Sequence, residues 1–446
     1  MSSPTASTTP KFSNHDELPI AIIGGGLGGL ALALGLVKHG VKIQIFESAP
    51  AFAEIGAGVA FGINAMTALR LIDPRLFDGY MKHATFNADR KRDNTFLTAR
   101  WGIDEHKDGG QKAGDLLWQL EDKWHPEQAY ALGVRTRSCI HRARFLDELV
   151  ALLPTGITSF GKTFKSLDEL DDGTLMLHFT DGTRAQASAV IGCDGIKSKV
   201  REFVCGSDVQ ATYARESAYR ALVPKAKFEA ALGPDLAGNG HLYCGYGGYF
   251  VTYPVEGGEY VNMVASPRDQ STSLTWDRDD WTVPATTEEF LDDFKGWYPP
   301  LLKIFAEHRS PYKWALFAMP HDRPYYRGRV CLLGDSAHAT TPHIGAGAGM
   351  AMEDAYMLSS LIASVADVSE IEHAFQAYDA SRRPRTQKCI QQSFRIFQAY
   401  SLSMPGVGDD TKAMKERLEE AYRWLWHEDL EAQMEKAKEQ LRTRIG

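Results

Sequence analysis

Gly24-x-Gly26-x-x-Gly29 stands between a short apolar run, Ile20 to Ile23, and a stretch rich in Ala and Leu, Leu30 to His39. Glycines at this spacing allow a tight turn, admit a pyrophosphate to the backbone and let a helix pack closely on a strand. The helix N-terminus then faces the phosphates. Glu47 follows the next apolar segment, Val41 to Phe46, twenty-three residues beyond Gly24. A carboxylate there suits a ribose 2′-hydroxyl and repels a 2′-phosphate. The pattern predicts dinucleotide binding, and by itself leaves FAD and NAD both open. Gly334-Asp335 closes a further apolar run, Arg329 to Leu333, and Gly345-Ala346-Gly347-Ala348-Gly349 offers consecutive backbone N–H groups to an anion.

The elements that must hold these residues read as an α/β fold. Ile20 to Phe46 forms a β-α-β unit of about thirty residues. Arg142 to Leu153 has apolar residues at helical spacing, and Ala189 to Ile191 is a strand ending at Gly192-Cys193-Asp194-Gly195. From residue 211 to 311 the texture changes to aromatic, strand-like segments such as Tyr249 to Val255 and Tyr260 to Ala265, punctuated by Gly and Pro. The expected organisation is a tail over 1–17 with the composition of disorder and a Rossmann-like nucleotide-binding domain over 18–210 and 312–400. An antiparallel-sheet domain is inserted over 211–311, and a helical region follows over 401–446. A helix is expected from about Gly347. In the last region Met414, Leu418, Tyr422, Leu425, Leu430, Met434 and Leu441 fall mostly on one helical face, as core packing requires.

Composition excludes several functions. The 446 residues are 44% hydrophobic and 24% charged, ordinary for a globular chain of two or three units. A net charge of −8 without a long basic run argues against nucleic acid. Ile20 to Val37 imitates a membrane span, but five glycines crowd residues 24–29 and no basic n-region precedes it, so neither membrane nor secretory targeting is expected. Six cysteines with no CxxC pair suggest neither disulfides nor zinc, and so a reducing compartment, the cytoplasm. Ser336, in Gly-Asp-Ser-Ala-His, lacks the final glycine of a nucleophile elbow. His338 and His343 have no second ligand pair, so both are expected to be structural and no metal site is expected.

Cys193-Asp194-Gly195-Ile196-Lys197-Ser198-Lys199-Val200-Arg201 resembles the DG motif of single-component flavoprotein hydroxylases, and Arg329 to His338 resembles their GD motif. With Pro342, the glycines 345–349 and Glu353-Asp354 following, the span from Pro19 to about Arg385 is similar to this family. Within it the chain most resembles the salicylate hydroxylases, through Phe52-Ala53-Glu54-Ile55-Gly56-Ala57-Gly58-Val59, Ala218-Tyr219-Arg220, Trp314-Ala315-Leu316, Pro342 to Gly349, and Trp424-Leu425-Trp426 followed by Asp429-Leu430. The resemblance implies one non-covalent FAD, NADH or NADPH as electron donor without a second Rossmann domain, and dioxygen captured as a flavin C4a-hydroperoxide that hydroxylates a small phenol. It implies that Gly24, Gly26, Gly29, Glu47, Gly58, Ala60, Arg142, Asp194, Asp335, Gly347 and Ala348 form the cofactor site. Glu47 would hold the adenosine ribose, Arg142 the region near the phosphates and ribityl, Asp335 the ribityl or pyrophosphate, and the Gly347-Ala348 backbone the isoalloxazine. Asp194 would be structural. A monomer or homodimer without nucleic-acid or membrane partners is expected.

At the substrate end the protein must make a ring electron-rich. A guanidinium about 4 Å from a phenol oxygen, at an effective dielectric of about 20, favours the phenolate by roughly 4 kcal/mol, or about three pKa units. Arg220, on the apolar stretch Ala218 to Val223, is the candidate for that charge, with Tyr253 as its candidate partner. Tyr253 stands where salicylate hydroxylases tend to carry Phe, and Phe317 where the bacterial enzymes have a His. At Arg220 and Tyr253 the chain resembles fungal hydroxylases that dearomatise resorcinol-type polyketides, in which an Arg and a Tyr hold the phenolate. Three readings follow: a salicylate-type hydroxylase that releases carbon dioxide and a catechol, a biosynthetic phenol hydroxylase that retains every carbon, and a flavin-binding interaction protein without catalysis.

Overall fold

The computed structural model describes residues 18–52, 58–104, 110–123, 133, 135–269 and 275–445. The tail over 1–17 and residues 53–57 of the Phe52–Val59 run lie outside the described residues. Two sheets organise the chain. The first has six strands in the order Tyr326–Arg327, Val330–Leu332, Ala189–Gly192, Ile20–Ile23, Ile43–Phe46, Thr158–Ser159. All its pairings are parallel except that of Tyr326–Arg327 with Val330–Leu332. Ile20 to Ile23 are at most 2% exposed, as a central parallel strand covered on both faces must be. The apolar run that imitates a membrane span is this strand plus the buried helix Leu27–Lys38. Among the described residues no helix is long and apolar enough to cross a membrane.

That helix begins three residues before the expected Leu30 and draws Gly28 and Gly29 into its first turn. Close packing explains the gain. A Cβ on Gly29 would stand 2.2 Å from the Gly24 carbonyl oxygen, so the helix approaches the strand more closely than any other residue allows.

The second sheet has eight strands: Thr282–Pro284, Arg309–Ala318, Thr212–Pro224, Tyr260–Pro267, Gly248–Val255, His241–Gly245, Thr95–Trp101 and Leu116–Glu121. It reaches beyond the 211–311 boundary at both ends, since two of its strands come from residues 95–121 and another runs to Ala318. The reason is a non-local pairing, Thr95–Trp101 running parallel to His241–Gly245, which local periodicity cannot reveal. Alternation sorts its central strands. Tyr219, Phe250 and Met263 point to one face and pack with Phe290 of the helix Thr287–Asp293, Phe294 just after it and Phe305 of the helix Pro299–His308. Arg220, Tyr249, Val251, Tyr253 and Val264 lie on the other face.

The helix Gly347–Ile362 packs on Leu27–Lys38, and the long helix Ile371–Tyr400 packs against it in turn. Met414, Leu418, Tyr422, Leu425, Leu430, Met434 and Leu441 are all buried, so the last two helices, Thr411–Trp426 and Leu430–Ile445, use their apolar faces for the core.

Candidate active site

A cavity of about 670 Å³ runs between the ends of the parallel strands and the open face of the antiparallel sheet. The volume is typical of a small-molecule or cofactor site. All thirteen residues singled out from the sequence line it: Gly24, Gly26, Gly29, Glu47, Gly58, Ala60, Arg142, Asp194, Arg220, Tyr253, Asp335, Gly347 and Ala348.

At one end, the turns that leave Ile20–Ile23, Ala189–Gly192 and Val330–Leu332 meet, as ligand sites do at the carboxyl edge of open parallel sheets. Gly24 adopts φ +105°, and a Cβ there would stand 2.4 Å from the Cys193 carbonyl oxygen. Glu47 accepts the Gly25 N–H at 2.7 Å through Oε2 and the Ala49 N–H at 2.7 Å through Oε1, so its carboxylate also shapes the glycine turn. Asp194 accepts the Ser198 hydroxyl at 2.6 Å and the Lys199 N–H at 2.8 Å, which secures the start of the helix Lys199–Cys205. Burial raises its carboxyl above the usual range, against the pull of those bonds. Arg201 bolts two of the motif turns together, donating at 2.9 Å to the Ser336 carbonyl and at 2.7 Å to that of Ile196.

Asp335 is exposed on the cavity wall at the start of the short helix Asp335–His338. Behind it Asp354 accepts from the Gly334 N–H at 3.2 Å and from His338 Nε2 at 2.5 Å. Burial alone would raise the Asp354 carboxyl, but the charges of His338 and Arg382 overcome it and hold it at about 2. Arg382 and Arg385 share Glu353 as well, so a fully buried ion network anchors the turn that presents Asp335. His338 is thus structural. Ser336 is buried and donates to the Gly192 carbonyl at 2.6 Å, which removes it as a nucleophile.

The chemistry of the walls fits an FAD-like ligand. The helices Leu27–Lys38 and Gly347–Ile362 both start on the cavity and neither has a side-chain cap, so their first N–H groups are available to an anion. Six cationic residues, Arg137, Arg142, Lys162, Lys197, Lys199 and Arg220, line the wall against three carboxylates, Glu47, Asp194 and Asp335. The Thr340 hydroxyl oxygen is buried there without a hydrogen-bond partner among the described residues.

At the other end Arg220 lies with its guanidinium 5.2 Å from the centre of the Trp314 ring. Burial pulls its pKa down, and Arg142 pulls in the same direction. An arginine remains charged under such pressure. Tyr253 donates to the Gly58 carbonyl at 3.1 Å, and burial pushes its hydroxyl well above the usual phenol value. Gly58 must be small for this contact, since a Cβ would meet Val255 at 2.8 Å and Tyr253 at 3.1 Å. Phe317 does not line the cavity; it stacks on Trp281 with ring centres 3.8 Å apart.

Sequence reasoning missed several wall residues. Arg137 is 4% exposed, donates to the Phe96 carbonyl at 2.8 Å and lies 4.7 Å from the Tyr253 ring centre. Its one trace in the sequence is Gly240, where a Cβ would stand 2.7 Å from the Arg137 Nε. Tyr400 and Tyr422 join through their hydroxyls at 3.0 Å and bring the C-terminal helices into the site. His343, expected to be structural, is on the cavity wall beside Tyr249.

The FAD binding domain family matches residues 158–393. The chain is 38% identical over 429 residues to a 6-methylsalicylate 1-monooxygenase of Aspergillus terreus, covering 95% of this chain and 91% of the relative. It is 36% identical over 442 residues to a salicylate hydroxylase of Pseudomonas putida, covering 96% of each. A FAD-dependent monooxygenase of Monascus ruber is 34% identical over 451 residues, covering 96% of this chain and 98% of the relative. Among solved structures, a salicylate hydroxylase substrate complex superposes with a TM-score of 0.81 at 32% identity, covering 95% of this chain and 98% of that one.

Proposed function

This chain belongs to the FAD-dependent monooxygenases, and from that premise we propose that it hydroxylates a 2-hydroxybenzoate of the salicylate type. NADH or NADPH and dioxygen are consumed, and a catechol, carbon dioxide and water are released. FAD, when bound, supplies the passage of electrons from the nicotinamide to dioxygen and the oxidising power for the ring. In this reading Gly24, Gly26, Gly29 and the N-terminus of Leu27–Lys38 would hold the pyrophosphate, and Glu47 the adenosine ribose. Arg142 and Asp335 would hold the middle of the cofactor, and the Gly347-Ala348 backbone its ring, with Gly58 and Ala60 lining the same cavity.

One observation carries the substrate assignment. The Arg220 guanidinium lies on the cavity wall in a buried setting that lowers its pKa, beneath the face of Trp314. A planar fork there can bond a phenolate and an adjacent carboxylate at once, as a 2-hydroxybenzoate would present them. Tyr253 on the same wall favours a second reading, in which an Arg and Tyr pair holds a resorcinol-type phenolate and no carbon is lost. The free thiols of all six cysteines support a cytoplasmic setting.

The test is a panel of phenols screened for stimulated NAD(P)H oxidation, with products identified by mass. Catechol and carbon dioxide from 2-hydroxybenzoate are expected. Hydroxylated or quinol products retaining every carbon would establish the second reading, and oxidation indifferent to every phenol would overturn both.

A further inference from the structure

The strand Thr212–Pro224 is broken where it passes the cavity. Tyr213 pairs with Phe317 and Ser217 with Ala315, so this strand carries two more residues than its partner between those points. Arg215, within the break, has φ +59°, a conformation uncommon for a residue with a side chain. The Asp269 N–H donates to the Arg215 carbonyl at 2.9 Å and the Ser266 hydroxyl to the Ser217 carbonyl at 2.8 Å, which pins both sides. Bulges of this kind re-aim side chains beside active sites. This one turns Glu216 inward.

Glu216 is 6% exposed, and its Oε2 lies 2.6 Å from His343 Nε2. The other ring nitrogen, Nδ1, lies 2.8 Å from the Tyr249 hydroxyl. Tyr249 and His343 line the cavity, whereas Glu216 stands behind them. A buried carboxylate fixes the tautomer of the imidazole it faces: Nε2 carries the proton toward Glu216, which leaves Nδ1 to accept from Tyr249. The Tyr249 oxygen then presents lone pairs to the cavity. Burial and the Glu216 charge hold the Tyr249 hydroxyl far above an ordinary phenol, so Tyr249 can pass a proton but not store its absence. Tyr253, Tyr400, Tyr422 and Ser266 also face this pair, with the Arg137 charge beyond Tyr253.

We propose that Glu216 is the positioning residue for ionisation of the bound phenol, acting through His343 and Tyr249. The phenol gives its proton to the Tyr249 oxygen while the Tyr249 proton passes to His343 Nδ1. The products are a phenolate in the field of Arg220 and an imidazolium paired with Glu216, with no net gain or loss of protons. The strained bulge at Arg215 exists to aim that carboxylate. This rests on the phenolic reading of the site, though not on which phenol is oxidised.

The experiment uses the FAD-loaded protein with two probes, 2-hydroxybenzoate and 4-nitrophenol, whose phenolate is coloured and whose ionisation is visible without turnover. Bound 4-nitrophenol should ionise at a pH about one unit or more below its value in buffer, a tenfold change in its ionisation constant. Glu216→Gln should lose part of that shift, keeping the part supplied by the Arg220 field, while leaving flavin affinity unchanged. It should lower substrate-stimulated NAD(P)H oxidation about tenfold on the acid side of the pH profile, with recovery at alkaline pH. Glu216→Asp should recover some of what Glu216→Gln loses, and Tyr249→Phe should lose the same part of the shift without a further loss when combined with Glu216→Gln. A wild-type ionisation and pH profile in Glu216→Gln would overturn the proposal, as would an equal loss at every pH accompanied by weaker flavin binding. Should Glu216→Gln fail to fold, unchanged ionisation in Tyr249→Phe overturns it equally, and so does a wild-type protein that ionises neither probe. Ionisation of 4-nitrophenol that depends on Glu216, without catechol from 2-hydroxybenzoate, would retire the substrate assignment and leave the relay standing.

Discussion

Where the parallel strands end on the cavity, close backbone approach shapes the wall: a methyl group added at Gly24 or Gly29 would stand 2.4 or 2.2 Å from a carbonyl oxygen. On the face of the antiparallel sheet the wall is side chains, with Tyr249, Val251 and Tyr253 alternating along one strand and Arg220 two strands away on the same face. A backbone wall fixes a shape that every member of a family can share. A side-chain wall changes one residue at a time without moving the sheet, so the same cofactor can serve many rings.

Substitutions should divide along that line. The largest effect is expected for Gly26→Val, which adds bulk at the start of Leu27–Lys38 on the cavity wall. The folded variant, checked by circular dichroism, should hold no FAD, and full flavin absorbance in it would break the comparison. Asp335→Ala removes one charge-assisted contact worth roughly 1.5 to 3 kcal/mol, so flavin should bind about ten- to a hundredfold more weakly while the apo protein unfolds at its usual temperature. Unchanged flavin affinity with a large loss of apo stability would move Asp335 from ligand to scaffold.

At the side-chain end, Arg220→Lys replaces a planar fork by a point charge. Flavin content should be retained, and coupled hydroxylation should fall at least about tenfold, a loss of roughly 1.4 kcal/mol in transition-state stabilisation. Tyr253→Phe should have the smallest effect. It deletes the bond to the Gly58 carbonyl, worth about 1 kcal/mol of stability by thermal unfolding, and turnover of 2-hydroxybenzoate should persist. Collapse of activity in this variant would transfer the assignment to the dearomatising class.

The same contrast explains what the sequence could reveal. Gly24, Gly29 and Gly334-Asp335 were legible because steric necessity leaves a spacing that can be read along the chain. Arg220 and Tyr253 were reachable through alternation together with family resemblance. Arg137, Tyr249, Tyr400, Tyr422 and the Glu216–His343 pair were not, because each joins the site through contacts between residues 22 to 127 positions apart that leave no local period. The parallel pairing of Thr95–Trp101 with His241–Gly245 escaped for that reason too.

That pairing bears on how the chain is made. The eight-stranded sheet waits for Arg309–Ala318 although two of its strands lie within the first 121 residues, and the parallel sheet waits for Val330–Leu332. A ribosome delivering the polypeptide from its N-terminus therefore completes neither unit before about three quarters of the chain has emerged. Thr95–Trp101 lacks its parallel neighbour until His241–Gly245 has emerged, and until then it is an open strand edge available to other chains. Expression of either half alone should yield aggregate rather than an autonomous module, since each half would carry strands of both sheets without their partners.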